Sequence, residues 1–252
     1  MQSSKRNTLF LVLGAFFVAN AIIAEFIGVK IFSLEKTFGL QAFNWNIFGN
    51  ALSLNLTAGV LLWPVVFIMT DIINEYFGRK GVRLMSYIAA TLIAYAFLIV
   101  FFAIQLSPAD FWIYRDTASG RLDMQTAYSV IFGQGLWIII GSLIAFLIGQ
   151  MVDVQVFHFV KNKTGNKSLW LRATGSTLIS QLLDSFVVLF IAFYIGAGWD
   201  LKLVLGIGIV NYIYKFMLAV ILTPLLYLLH RLIDNYLGKD LSELMMKEAA
   251  SD

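Results

Sequence analysis

Apolar residues in this chain come in long blocks and do not alternate with polar ones. Six blocks run roughly over 8–30, 51–75, 84–106, 129–158, 172–196 and 203–230. Each reaches or exceeds the ~18–20 residues that a bilayer-spanning helix needs. The pattern predicts an all-α polytopic membrane protein, with six transmembrane helices in one compact bundle and residues 1–252 as a single domain. The fourth block is longer than a span requires, which predicts a tilted or protruding helix. Between the third and fourth blocks, SPADFWIYRDTASGRLDMQTAY (107–128) is polar and aromatic and forms the longest loop.

Composition agrees with the blocks. Sixty per cent of residues are hydrophobic and 13% are charged, whereas a soluble domain carries about a quarter charged residues. The net charge of +3 does not point to nucleic acid, because the bases sit mostly between blocks. Twelve of them fall on one side: Lys5, Arg6, Arg79, Lys80, Arg83, Lys161, Lys163, Lys167, Arg172, Arg231, Lys239 and Lys247. Five fall on the other, namely Lys30, Lys36, Arg115, Arg121 and Lys202, and Lys215 lies inside the sixth block. The excess predicts that the first side, with both termini, is cytoplasmic.

Ionisable groups in a span cost at least ~2.5 kcal/mol each, so they mark function more reliably than apolar residues do. The first block carries Asn20 and Glu25, and the second Asp71, Asn74 and Glu75. The fourth carries Gln134, Gln150 and Asp153, the fifth Gln181 and Asp184, and the sixth Asn211 and Lys215. In the fifth block Ser176, Ser180 and Asp184 recur every four residues, and Thr177, Gln181 and Ser185 run beside them. Positions i and i+4 share a helix face, so these six form one polar stripe. Asp184 and Lys215 fall near the middle of their blocks, and their matching depth makes Lys215 a candidate counter-charge. Pro64 and Pro224 are expected to kink the second and sixth helices.

The missing motifs narrow the function. There is no P-loop, no HExxH and no nucleophile–base pair, so chemistry on a substrate is not expected. There is no cysteine, and the two histidines, His158 and His230, are far apart, so no cofactor or metal is expected. Recognition and passage of a small molecule fit best.

FIMTDIINEYFGRKGVR (67–83) resembles the signature of the queuosine precursor transporters, formerly called vitamin uptake transporters. IGQMVDVQVFHFVKNK (148–163) and WLRATGSTLISQLLDSFVVLFIAF (170–193) fit the same pattern, and VNYIYKFMLAVILTPLLY (210–227) does so more weakly. The resemblance implies a multi-pass transporter of the cell inner membrane. It would import 7-cyano-7-deazaguanine or 7-aminomethyl-7-deazaguanine. It points to Asn20, Asp71, Gln150, Asp153, Ser176, Asp184 and Lys215.

A guanine-like edge offers an N1–H and an amine side by side. A carboxylate accepts both, and an amide reads the neighbouring carbonyl. Asp184 with Gln181, or Asp153 with Gln150, supplies that set. Asn20, Ser180 and Lys215 are expected beside it, with Asp71, Asn74, Glu75, Ser176 and Asn211 as gate or structural polar groups. The expected partners are the deazaguanine base and the bilayer, and homo-oligomer formation is left open. The rival reading is the substrate-binding subunit of an energy-coupling-factor system, which depends on separate ATPases. Ala15-x-x-x-Ala19 has the small-residue form used for such docking.

Overall fold

A computed structural model describes residues 2–118, 120–133, 135–164 and 169–250, with side chains at all of them except 2, 169, 170 and 172. Gln134 and Lys167 lie outside these residues, as does the side chain of Arg172. Among the described residues, five helical stretches are long and apolar enough to cross a membrane: Ser3–Ile27, Trp63–Gln105, Met124–Thr164, Ala173–Ile195 and Leu201–Leu237. The chain is therefore a mainly helical, multi-pass membrane protein.

Helix α1 (Gln2–Ile27) is followed by β1 (Ile31–Ser33), the short α2 (Leu34–Thr37), β2 (Trp45–Ile47), β3 (Asn50–Leu52) and β4 (Asn55–Thr57). The antiparallel pairs β1–β4 and β2–β3 form two small ribbons. This corrects the expected start of the second span at residue 51. In NALSLNLT (50–57), Leu52, Leu54 and Leu56 alternate with Ser53, Asn55 and Thr57, which is the period of a strand and not of a helix. Leu54 and Leu56 are buried with Val60, Val210 and Tyr214, a second small core that fastens the ribbons to the bundle. Glu35 holds the same loop. Its Oε1 accepts from Leu54 N–H at 2.8 Å and its Oε2 from Ser33 Oγ at 3.1 Å.

Helix α3 (Trp63–Gln105) spans 43 residues, about 64 Å at 1.5 Å per residue, or twice the thickness of a hydrocarbon core. It covers that length by reversing at Gly78, whose φ of 68° and ψ of −169° are non-helical. Before the reversal the chain runs from Gly59, against the Ala24 carbonyl, to Phe77, whose ring is 4.8 Å from that of Phe10. After it, Met85 packs at Gly14 and the Phe97 ring lies 5.2 Å from that of Phe26. Both limbs thus run along α1, in opposite directions. Pro64 sits in the first turn of α3, where its missing N–H costs nothing, and not inside a span as expected.

Next come α4 (Asp110–Ile113), the ribbon of β5 (Tyr114–Thr117) and β6 (Gly120–Asp123), and α5 (Met124–Phe132). The expected 129–158 span is thus the end of α5 plus most of α6 (Leu136–Thr164). Helix α7 (Leu169–Leu189) continues in π geometry over Phe190–Ile195. It packs closely on α6, and a side chain at Gly141 would stand 3.2 Å from the Val188 carbonyl. Helix α8 (Leu201–Leu237) contains Pro224 and turns at Gly238 into α9 (Lys239–Ala250). Among the described residues, six short strands make the fold less purely helical than expected, with these ribbons at the end of the bundle away from the termini. The termini lie together: Lys5 Nζ donates to the Tyr236 carbonyl at 2.8 Å, and Arg6 pairs with Glu248 at 2.8 Å.

The main core joins α1, α3, α6, α8 and α9 around Phe17, Ile72, Ile73, Tyr76 and Phe157. The outward faces keep Leu11, Phe16, Leu92, Phe101, Val220 and Ile221 exposed, as lipid contact requires.

Candidate functional site

The polar stripe of α7 does face inward. Ser176, Thr177, Ser180 and Gln181 are all buried. Ser180 Oγ donates to Asp153 Oδ1 at 3.1 Å, and the hydroxyls of Ser176 and Thr177 flank the same carboxylate. Asp153 is fully buried at 0% exposure. One turn earlier on α6, Gln150 meets Thr70 of α3, with Oγ1 and Oε1 3.0 Å apart. Thr70 has one hydroxyl proton and a second acceptor, the Val66 carbonyl, also at 3.0 Å. Among the described residues, Asp153 Oδ2 and Gln150 Nε2 have no hydrogen-bond partner. A carboxylate and an amide one turn apart on α6 therefore have bonding capacity to spare.

Thr177 links this pair to α3, because its hydroxyl donates to Asp71 Oδ2 at 3.3 Å. Asp71, Thr177 and Gln181 line a cavity of about 30 Å³ that Pro64, Thr174 and Thr223 also border. That is room for roughly one water, so the bundle is closed around its polar centre.

On the termini side of the centre, Asn74 Oδ1 and His158 Nε2 are hydrogen-bonded at 2.8 Å. Glu75 and Lys161 form an ion pair at 3.3 Å, their side chains 1% and 3% exposed. Tyr76 Oη donates to Asp234 Oδ1 at 2.8 Å, His230 Nδ1 lies 3.0 Å from Asp234 Oδ2, and Ser242 Oγ also donates to Asp234. This last group ties α3 and α9 to the end of α8.

On the ribbon side, Lys215 Nζ donates to Asp184 Oδ2 at 2.6 Å. The expected counter-charge is thus in place. Ser142 Oγ donates to Glu25 Oε2 at 3.0 Å.

The candidate residues therefore divide into levels. Asp153, Gln150, Ser180 and Ser176 form the centre, Asp71 and Gln181 line the cavity beside it, and Asp184 with Lys215 lies beyond. Asp184 is not grouped with Gln181, since it is engaged by Lys215 while Gln181 turns to the cavity. Asn20 donates to the Phe16 carbonyl of its own helix at 2.7 Å, and Asn211 is half-buried one turn before Lys215.

Sequence reasoning missed Thr70, His158, Lys161 and Asp234. Lys161 is a correction: it was counted among the loop bases of one side, but it lies in the interior against Glu75. The available signal was the register of α6, where Gln150, Asp153, His158 and Lys161 follow one another at helical spacings of three to five residues along a single face.

Residues 57–229 match the model of a family described as "Putative vitamin uptake transporter", more than half of the chain. The chain belongs to this family. Among its relatives, a "Probable queuosine precursor transporter" of Bacillus subtilis (strain 168) is 30% identical over 187 residues, covering 72% of this chain and 75% of the relative. Another "Probable queuosine precursor transporter", from Haemophilus influenzae, is 26% identical over 179 residues, covering 69% and 67%. The "Queuosine precursor transporter" of Escherichia coli (strain K12) is 26% identical over 199 residues, covering 73% and 79%. No solved structure matches the chain. The relatives are named as transporters and not as enzymes.

Proposed function

We propose that this chain imports queuosine precursors, 7-deazaguanine bases, across the inner membrane as a self-sufficient secondary transporter. The relatives' names support the substrate class. The observation that carries the site is that Asp153 Oδ2 and Gln150 Nε2, on side chains one turn apart on α6, are both buried and both without a partner among the described residues. Asp153 accepts from the base N1–H and exocyclic amine, while the Gln150 amide donates to the adjacent carbonyl. Ser180 and Thr70 hold these two side chains in position. Asp71 and Gln181 extend the site into the cavity beside it.

Reversal at Gly78 turns the five long helical stretches into six crossings. The surplus of Lys and Arg at the termini side supports a cytoplasmic location for both termini, even with Lys161 withdrawn into the interior. On that orientation the pairs Asn74–His158 and Glu75–Lys161 close the cytoplasmic side, and Asp184–Lys215 closes the outer side. A ligand pocket for a molecule of this size needs some hundreds of Å³, so α3, α7 and α8 must part to admit it.

The test is uptake of radiolabelled 7-cyano-7-deazaguanine by proteoliposomes containing only this chain. Saturable uptake is the expected result. Tight binding without uptake would instead favour a binding subunit that waits for ATPase partners.

A further inference from the structure

Gln150 sits where α6 meets both limbs of α3. Its Oε1 meets Thr70 of the first limb at 3.0 Å. With Leu147, Met151 and Val154 of α6 it also lines a second cavity, of about 10 Å³, whose other wall is Val82, Arg83, Ser86 and Tyr87 of the second limb, after Gly78. The spacing explains the two walls. Positions 147, 150, 151 and 154 recur at three and four residues along one side of a helix, and 82 with 86 and 83 with 87 are each four apart.

Two polar groups of this cavity have unused bonding capacity. Ser86 is 4% exposed and Gln150 2%. Ser86 Oγ and Gln150 Nε2 have no hydrogen-bond partner among the described residues, and a buried polar group left unpaired is costly. A hydroxyl inside a helix ordinarily returns to a carbonyl one turn back, as Thr70 does with Val66 and Ser180 with Thr177. Ser86 makes no such bond among the described residues.

The rest of the lining decides what this place accepts. Val82, Leu147, Met151 and Val154 are apolar, and the charged residue of the lining is the cationic Arg83. The volume is that of a single water at most. A slim, uncharged hydrogen-bond acceptor suits these walls, whereas an ammonium would find no counter-charge on them.

The chemistry of the base connects this cavity to the base site. On a 7-deazaguanine ring the C7 substituent stands next to the C6 carbonyl, on the side away from N1–H and the exocyclic amine. A base with N1–H and its amine on Asp153 and its carbonyl on Gln150 therefore directs the C7 substituent past Gln150. The amide nitrogen of Gln150 carries two N–H groups, one for the carbonyl and one for the substituent.

We propose that Ser86 and Gln150 form the subsite for the C7 substituent, and that this subsite selects a nitrile over an aminomethyl group. This rests on the base site proposed above. Ser86 Oγ–H and the second N–H of Gln150 donate to the nitrile nitrogen, and the linear group enters between α6 and the second limb of α3. An aminomethyl group is an ammonium at neutral pH and would meet apolar walls and the Arg83 guanidinium.

The experiment titrates the purified full chain in detergent with three bases. They are 7-cyano-7-deazaguanine, 7-aminomethyl-7-deazaguanine and 7-deazaguanine itself, which has hydrogen at C7. Wild type should bind the cyano base about three- to tenfold more tightly than 7-deazaguanine, the range for a hydrogen bond. It should bind the cyano base about tenfold or more tightly than the aminomethyl base. Ser86→Ala should bring the affinity for the cyano base down to near that for 7-deazaguanine. It removes a hydroxyl that has no partner among the described residues, so the variant should keep its fold.

The wild-type ranking needs no variant. A cyano base that binds no better than 7-deazaguanine, or no better than the aminomethyl base, overturns the subsite and leaves the transport reading standing. So does a Ser86→Ala protein that keeps the wild-type ranking or weakens all three bases alike. Binding of none of the three bases to wild type overturns the transport reading itself, and the subsite with it.

Discussion

Asp153 and Glu75 are both acids buried in the bundle, yet their surroundings give them different work. Glu75 has a full counter-charge in Lys161, whereas Asp153 is met by hydroxyls and keeps one oxygen unengaged among the described residues. A satisfied buried ion pair is a structural element, and its two halves depend on each other. Glu75→Gln or Lys161→Met alone should destabilise the protein by about 3–5 kcal/mol, because each leaves a buried charge without its partner. The double variant should recover most of the loss, which thermal unfolding in detergent would register as strong non-additivity. Additive losses would show that the two side chains do not act as a pair.

Glu35 gives a pH dependence outside the membrane. Burial opposes its charged form, but hydrogen bonds from the Leu54 backbone and from Ser33 outweigh burial and hold its pKa below the ordinary value. Its contribution is therefore present above the unfolded value of about 4.3 and is lost as pH falls through the lower folded value. Hydrogen exchange at the Leu54 amide should accelerate in that acidic window. In Glu35→Gln it should already be fast at neutral pH.

Asp153, Gln150 and Ser180 were legible in the sequence because a polar side chain inside an apolar block is conspicuous. Lys161 and His158 were not. They sit near the end of a long block, where a base ordinarily reads as an anchor at the membrane surface. The register of α6 puts them on the face of Gln150 and Asp153, and the contacts of His158 with Asn74 and of Lys161 with Glu75 show that this face is interior.

Among elements, α3 is the most informative. Two apolar blocks separated by Glu75, Arg79, Lys80 and Arg83 were legible as two helical stretches. The hinge was not, because a glycine next to bases looks like any loop. Gly78 adopts φ 68° and ψ −169°, a region essentially restricted to glycine, and other residues there cost about 1–3 kcal/mol. Gly78→Ala should therefore lower the melting temperature and the yield of folded protein in detergent. An unchanged melting temperature would place the reversal elsewhere. The stretch from 51 to 62 was misjudged for a physical reason: counting apolar residues over a window hides their alternation, and the alternation makes β3 and β4 strands. The matching cue on the other side, Asp123 capping α5 by accepting from Thr126 N–H at 3.0 Å, also stood in the sequence and marks where the helical run resumes.

At the scale of the whole molecule, a polar centre lies between two sets of charged contacts. One is Asn74–His158 and Glu75–Lys161 on the termini side, and the other is Asp184–Lys215 with Glu25 on the ribbon side. The family was legible from three blocks of sequence, and the order of these levels emerged only from the packing. A transporter needs closures on both sides of its site that are not open together, and this arrangement supplies candidates for each.

The claim that ties these levels together is that the Asp153–Gln150 pair binds the base. It is tested most directly by titrating the purified full chain with 7-cyano-7-deazaguanine, comparing wild type with Asp153→Asn and with the surface control Asp240→Asn. Wild type and the control should bind alike. Asp153→Asn should bind about 10- to 100-fold more weakly, the loss expected for charge-assisted hydrogen bonds worth about 1.5–3 kcal/mol. Equal affinity in all three proteins would contradict the assignment and place the site elsewhere in the bundle.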